Sequence, residues 1–93
     1  MAKEKEPKKG DLQVWSRSNK EPRNKRVGSV KEAIEWIQRW SKKELHDNSI
    51  EYNAFGLEVF EEVSMSSDEL GWCEYYDKHG RDVMEIIDED YEN

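Results

Sequence analysis

The sequence predicts an α+β fold in which one amphipathic helix covers a mostly antiparallel sheet of four strands. Three observations support this prediction. Only residues 29–45 have a strong helical periodicity, several short segments are rich in alternating, aromatic and β-branched residues, and Gly, Pro, Asn and Asp mark the turns between them. A helix beside such strands forms a two-layer sandwich, with the predicted order strand, helix and then three strands.

The chain before the helix is predicted to contain one strand between two polar segments. Residues 1–10 consist almost entirely of Lys, Glu, Pro and Gly, which predicts a disordered basic tail. Residues 11–17 alternate weakly, with Leu12 and Val14 on one side, and this pattern indicates a short strand. Residues 18–26 are predicted to form a basic loop that leads into the helix.

The helix is the most clearly defined element. Its start carries a capping box, in which the Ser29 hydroxyl accepts from the N–H of Glu32 and the Glu32 carboxylate accepts from the N–H of Ser29. Lys42 and Lys43 lie in the last turn, where positive charge suits the helix dipole. The apolar side of this helix comprises Val30, Ala33, Ile34, Ile37 and Trp40.

A second strand is predicted after a turn at residues 46–49. Residues 52–63 alternate, so that Phe55 and Leu57 face one way with Val59. The following residues, 64–69, read as a polar loop.

The last two predicted strands, residues 71–76 and 82–87, form a hairpin. Between them, Asp77 and Gly80 occupy the first and fourth positions of a type I turn, with Gly80 in the left-handed region. One face of the hairpin then carries Cys73, Tyr75, Val83 and Ile87. The other face carries Trp72, Tyr76, Met84 and Ile86.

One helix covers only one face of a sheet, so the second apolar face needs a separate explanation. If the helix covers the face with Cys73, the face with Trp72 stays exposed as an aromatic surface of the kind that marks an interface. Alternatively, the N-terminal segment with Trp15 folds across it. The two alternatives remain open at this point.

The length and composition are those of one small intracellular domain. We place this domain at residues 11–88 and expect residues 89–93 to be a frayed acidic tail. Cys73 is the only cysteine among the 93 residues, which excludes a disulfide within the chain and suits a reducing compartment. The chain has no apolar N-terminal run and no segment of about 20 apolar residues, so we expect a cytoplasmic protein without membrane contact.

Charge is distributed very unevenly along the chain. Residues 1–28 carry nine Lys and Arg against four Asp and Glu, and residues 29–43 carry four against two. Residues 44–93 carry sixteen Asp and Glu against two basic residues, a net charge of −14. The chain therefore has a basic front and a strongly acidic second half.

No catalytic or ligand-binding motif is present. His46 and His79 fall in predicted turns, and Cys73 has no local group that would activate a thiol. The five glycines are scattered, so no phosphate-binding loop is formed, and no Cys or His pair has zinc spacing. We therefore expect a protein that is not an enzyme and that uses no cofactor, metal or small-molecule substrate.

The first functional hypothesis is a small acidic protein that inhibits or modulates a basic, nucleic-acid-binding partner. Carboxylates on a compact surface can imitate the phosphates of DNA, and aromatic side chains can anchor the complex. The predicted acidic contacts are Glu58, Glu62, Glu74, Asp77, Asp82, Glu85 and Asp88. The predicted anchors are Phe60, Trp72, Tyr76 and Met84.

The alternative hypothesis is a nucleic-acid- or ribosome-associated protein that uses its basic front. Trp15 would stack on a base in this case. A homodimer through the outer sheet face is compatible with either function. The residues predicted to bind phosphates are Arg17, Lys20, Arg23, Lys25 and Arg26.

Overall fold

A computed structural model describes residues 6–20, 22–63 and 69–91. It contains one open antiparallel sheet with the strand order β2-β1-β3-β4 and a long helix, α1, on one face, which confirms the predicted α+β class. A short helix, α2, follows β4 and continues into a π-helical turn. The elements are β1 (Leu12–Ser18), β2 (Arg23–Val27), α1 (Val30–Glu44), β3 (Asn53–Glu62), β4 (Leu70–Glu74), α2 (Val83–Ile86) and the π-helical turn (Ile87–Tyr91).

The predicted basic loop at residues 18–26 contains a strand. β2 pairs antiparallel with β1, from Leu12 opposite Val27 to Ser16 opposite Arg23. The sequence of β2 contains three cations and only one apolar residue, so it lacks the alternation that identifies a half-buried strand. The predicted order of strand, helix and three strands is therefore wrong before the helix, because a hairpin of two strands, β1 and β2, precedes α1.

The predicted fourth strand at residues 82–87 is helical instead. Asp82 accepts a hydrogen bond from the N–H of Glu85 at 2.9 Å, and the Glu85 carboxylate accepts from the N–H of Asp82 at 3.3 Å, which forms a capping box. Val83, Ile86 and Ile87 are buried together, at the i, i+3, i+4 spacing of a helix. Ile86 therefore faces the core with Val83 rather than the opposite side.

The helix α1 begins almost as predicted. The Ser29 hydroxyl accepts from the N–H of Glu32 at 3.1 Å. The Glu32 carboxylate, however, accepts from the N–H of Gly28 at 2.8 Å rather than from that of Ser29. The cap thus satisfies one free N–H of the first turn and one N–H just outside the helix.

The core lies between α1, α2 and the inner face of the sheet. Val14 and Leu57 lie opposite each other on the two central strands and are fully buried, and Phe55 packs against them. Each such aliphatic side chain contributes about 1.5–3 kcal/mol when it is buried completely. The helices supply Ala33, Ile34, Ile37, Trp40, Val83, Ile86 and Ile87.

Both chain ends are partly described. At the N-terminal side, residues 6–10 belong to the predicted disordered tail, and the N–H of Gly10 donates to the carbonyl of Phe60 at 2.8 Å. The predicted acidic tail overlaps the π-helical turn through Tyr91. Residues 1–5 and 92–93 of the two tails, residue 21 of the predicted basic loop and residues 64–68 of the predicted polar loop lie outside the described residues.

The turn at residues 77–80 is confirmed. The N–H of Gly80 donates to the carbonyl of Asp77 at 2.9 Å, and Gly80 has a φ of 77°, which a side chain would disfavour. The turn does not close a hairpin, because α2 follows it. It brings the chain back across the inner face of β3 instead.

Candidate functional site

The strand order converts the uneven charge of the sequence into two opposite edges. The edge strand β2 contains Arg23, Lys25 and Arg26 and no carboxylate. At the other edge, the described residues 69–91, which include β4 and α2, carry eight Asp and Glu against Lys78 and Arg81. The two central strands, β1 and β3, lie between these edges. The basic and the acidic residues are therefore on opposite sides of the sheet.

The basic edge is occupied by contacts within the protein. Arg23 lies 4.7 Å from the centre of the Trp40 ring and also pairs with Glu44, whose side chain is only 7% exposed. Four of the five predicted phosphate-binding cations lie over tryptophan rings in this way, and Lys20 is exposed. The other three contacts are Arg17 on Trp15 at 5.5 Å, Lys25 on Trp36 at 4.8 Å and Arg26 on Trp72 at 5.1 Å.

Two of the predicted acidic contacts lie directly opposite each other. Glu58 on β3 is in register with Glu74 on β4, on the face of the sheet that α1 does not cover. Gln13 donates to the Glu58 carboxylate at 3.2 Å. Like charges at directly opposed positions destabilise a pair of strands, so folding alone gives no reason to place them there.

Tyr76 is the centre of the same group of charges. A side-chain hydrogen bond with Glu74 raises the pKa of the Tyr76 phenol above its ordinary value of 10.0, and the negative charges of Glu74, Asp82 and Glu85 raise it further. The side chain is 57% exposed. We call Glu58, Glu74, Tyr76, Asp82 and Glu85 the acidic edge.

Asp77 is a predicted contact that the structure places in an internal ion pair. Its carboxylate accepts from the backbone N–H and from the Nε of Arg81, both at 2.9 Å, and these bonds hold the pKa of Asp77 below its ordinary value. Arg81 also binds Glu89 and Asp90. Arg81 is therefore neutralised by neighbouring carboxylates and does not counter the acidic edge.

The remaining two acidic contacts lie elsewhere. Glu62 pairs with Lys9 at 2.7 Å. It lies four residues beyond Glu58 on β3, so the two glutamates are about 13 Å apart along the strand. Asp88 belongs to the π-helical turn. The structure thus brings together four of the seven predicted carboxylates.

The predicted anchors do not form one surface. Phe60 and Trp72 are neighbours on the outer face of the sheet, with ring centres 5.2 Å apart in an edge-to-face arrangement. Met84 is on α2 rather than on the sheet, because the segment predicted as a strand is helical. Trp15 also occupies the outer face, but it does so as a residue of the central strand β1 rather than as part of a segment folded across the sheet.

A small cavity adjoins the acidic edge and was not predicted from the sequence. Its volume is about 140 Å³, and it lies where β4 leaves β3. Gly56 is opposite Trp15, and a side chain at Gly56 would collide with the indole. A glycine inside a predicted strand, which marks a bulge or a close approach, was the signal available in the sequence. We call the cavity the Trp15 notch, and its lining includes Trp15, Gly56, Glu74, Asp82, Val83 and Met84.

Two other kinds of site are absent from the described residues. No group of three or more His, Cys, Asp and Glu residues there could hold a metal ion. None of the helices in these ranges is long and apolar enough to cross a bilayer. No family model, curated protein or solved structure matches the chain.

Proposed function

We propose that the protein is a non-enzymatic binding module that inhibits or modulates a basic, nucleic-acid-binding protein through its acidic edge. One observation carries the proposal: Glu58 on the central strand β3 lies opposite Glu74 on the edge strand β4, and Glu74 shares the surroundings of Tyr76 with Asp82 and Glu85. These carboxylates concentrate negative charge on one part of the surface, and this charge attracts a basic partner.

The physical advantage of this arrangement is fast and oriented association. Complementary surface potentials raise the association rate and suppress wrong orientations, and their effect falls as salt is added. The carboxylates offer the partner the same charge as a row of phosphates. Phe60, near Glu58 on the outer face, supplies apolar surface for affinity once the partner has docked, and the adjacent Trp72 ring adds to it where Arg26 does not cover the indole.

Phosphate binding through the basic front has weaker support from the contacts. Arg23 and Lys25 lie over tryptophan rings of α1, and Arg23 is also paired with the mostly buried Glu44. A phosphate would compete with these contacts for the cations. Truncation of residues 1–26 would also remove β1 and β2, so it tests the stability of the fold rather than binding.

The experiment that tests the proposal is a comparative capture from cell lysate with and without nuclease, read by quantitative mass spectrometry. Three tagged baits are compared. The first is the wild type, and the second is a triple variant with Glu58→Gln, Glu74→Gln and Glu85→Gln. The third is a matched control with Glu6→Gln, Glu35→Gln and Glu51→Gln. Both variants change the net charge by the same amount. Glutamine keeps an acceptor for Gln13, for Tyr76 and for the cap of α2.

We expect one basic protein to be retained by the wild type and the control after nuclease treatment, and to be lost with the triple variant. Loss with both variants would mean that only total charge matters. Many ribosomal or chromosomal proteins that disappear with nuclease would favour the basic front instead. Either of these outcomes contradicts the proposal.

A further inference from the structure

We propose that the Trp15 notch receives one lysine or arginine side chain of the basic partner. This inference rests on the proposed function and assigns a specific subsite within it. The notch is too small for a cofactor, because its 140 Å³ is well below the roughly 300–1,000 Å³ of small-molecule pockets. It has the size of a site for a single side chain.

The topology explains why an opening exists at this position. β4 pairs with β3 only from Glu58 to Glu62, and just beyond this ladder the N–H of Tyr75 donates to the carbonyl of Leu57 at 2.9 Å. The chain then departs and returns as α2. The part of β3 that contains Gly56 therefore has no strand on that side among the described residues.

Gly56 shapes the wall of the notch. A Cβ at this position would lie 2.3 Å from the Cε2 and Cζ2 atoms of Trp15, so only glycine lets the indole lie against the backbone of β3. Its φ lies outside the left-handed region, and glycine is therefore needed for space rather than for backbone conformation. The close approach fixes the indole beside the notch.

The lining has two chemical parts that match a long cationic side chain. Trp15, Val83 and Met84 form an apolar wall for a methylene chain, and Glu74 and Asp82 offer carboxylates to its charged end. A wholly apolar occupant would supply no positive charge to balance Glu74 and Asp82, so the lining favours an occupant with a cationic end. The Trp15 ring already accepts a cation, since Arg17 lies 5.5 Å from its centre.

The test is an NMR titration of the isotope-labelled protein with single capped amino acids. N-acetyl-arginine methylamide and the corresponding lysine compound are the probes. Capped citrulline, which has the shape of arginine without its charge, and capped norleucine are the controls. The signals to follow are the indole N–H of Trp15 and the backbone N–H of Gly56, in comparison with amides on α1 and β2.

We expect saturable shifts at Trp15 and Gly56 with at least one cationic probe, and roughly tenfold weaker binding of citrulline and norleucine. Glu74→Gln and Asp82→Asn should each weaken the cationic probe several-fold, and Asn still caps α2. Glu35→Gln, on the exposed side of α1, should have no effect. Two results on the wild-type protein would overturn the inference. One is binding of capped citrulline as tight as that of the cationic probes, and the other is shifts spread evenly over all exposed carboxylates.

The failures of the two proposals are distinguishable. If a basic protein is captured through the acidic edge but the probes leave Trp15 and Gly56 unmoved, the notch inference is wrong and the function stands. If the probes bind in the notch but no basic protein depends on the acidic edge, the cation site stands and the proposed function is wrong.

Discussion

The replacement Gly56→Ala tests the packing that creates the Trp15 notch. The new Cβ would lie 2.3 Å from Cε2 and Cζ2 and 2.5 Å from Nε1 of Trp15. Carbon atoms pack at about 3.5–4.0 Å, so the indole must move by more than about 1 Å. The φ of Gly56 lies outside the left-handed region, so alanine causes no backbone strain there.

The expected cost follows from two estimates. Forcing an extra methyl group into a packed site costs about 1–3 kcal/mol. If the indole leaves the sheet altogether, more than half of its roughly 200 Å² is exposed again, which is worth about 2.5 kcal/mol. Without a collision, the same change would stabilise the protein by about 0.4–1 kcal/mol, because alanine restricts the unfolded chain. The sign of the change in the free energy of unfolding therefore shows whether the new methyl group collides with Trp15.

Urea unfolding followed by circular dichroism measures this effect. With a slope of about 1.5 kcal/mol per molar urea, the midpoint should fall by roughly 0.7–2 M. Gly28→Ala is the matched control, because its Cβ would meet only the Oε1 of Glu32 at an ordinary 3.5 Å. Its midpoint should not fall and should rise by roughly 0.3–0.7 M, because alanine restricts the unfolded chain without a collision in the folded one.

A double-mutant cycle with Trp15→Ala identifies the cause. Once the ring is removed, Gly56→Ala should be neutral or stabilising. A Gly56→Ala protein as stable as the wild type would refute the described packing. So would an equal loss of stability with and without the Trp15 ring.

Four further predictions concern caps, charges and nucleic acid. Ser29→Ala should lower the free energy of unfolding by about 0.5–2 kcal/mol in urea titrations, whereas Ser29→Asp should preserve it, because Asp also caps α1. Asp77 has a lowered pKa in the folded state, so its contribution to stability is present above its unfolded pKa of about 3.9 and is lost as the pH falls through the folded value. Asp77→Asn should therefore flatten the loss of stability below about pH 4, and an unchanged pH profile would count against the pairing with Arg81. Glu74→Gln should lower the pKa of Tyr76 towards 10, as read by phenolate absorbance with Tyr76→Phe to assign the signal; an unchanged titration would contradict the bond between them. Labelled single-stranded DNA and RNA should show no saturable binding at about 0.15 M salt, and salt-sensitive binding that is weakened by Lys20→Gln would favour the basic front.

The sequence predicted the elements in which the local pattern and the tertiary environment agree. The helix α1 has an apolar stripe, a Ser cap and basic residues in its last turn, and each of these signals survives in the fold. The strand β3 alternates around Leu57, which lies in the core as expected. In both elements, burial of one face follows directly from the residue period.

The two errors have identifiable physical causes. The segment from Asp82 to Ile87 contains both a short apolar alternation and the i, i+3, i+4 spacing of Val83, Ile86 and Ile87, and the capping box of Asp82 and Glu85 favours the helix. β2 has no apolar pattern, because two of its three inward-facing residues, Arg23 and Lys25, are cations. Tryptophans on α1, which are distant in sequence, provide the surface on which those cations lie.

The candidate site was only partly predictable for the same reason. Glu58, Glu74, Asp82 and Glu85 were all among the predicted contacts, but their grouping depends on the register of β3 with β4 and on the return of α2. The neutralisation of Asp77 by Arg81 requires the turn between them to close. The Trp15 notch requires Gly56 to lie opposite Trp15, and a single sequence does not specify strand register.

The central claim is that the acidic edge, rather than total charge, binds the partner. The most direct test is the affinity of the captured basic protein for the wild type, for the triple variant at Glu58, Glu74 and Glu85, and for the matched control at Glu6, Glu35 and Glu51. Measured at about 0.15 M salt, the triple variant should bind at least tenfold more weakly and the control within about twofold of the wild type. Equal affinities for the two variants would contradict the claim.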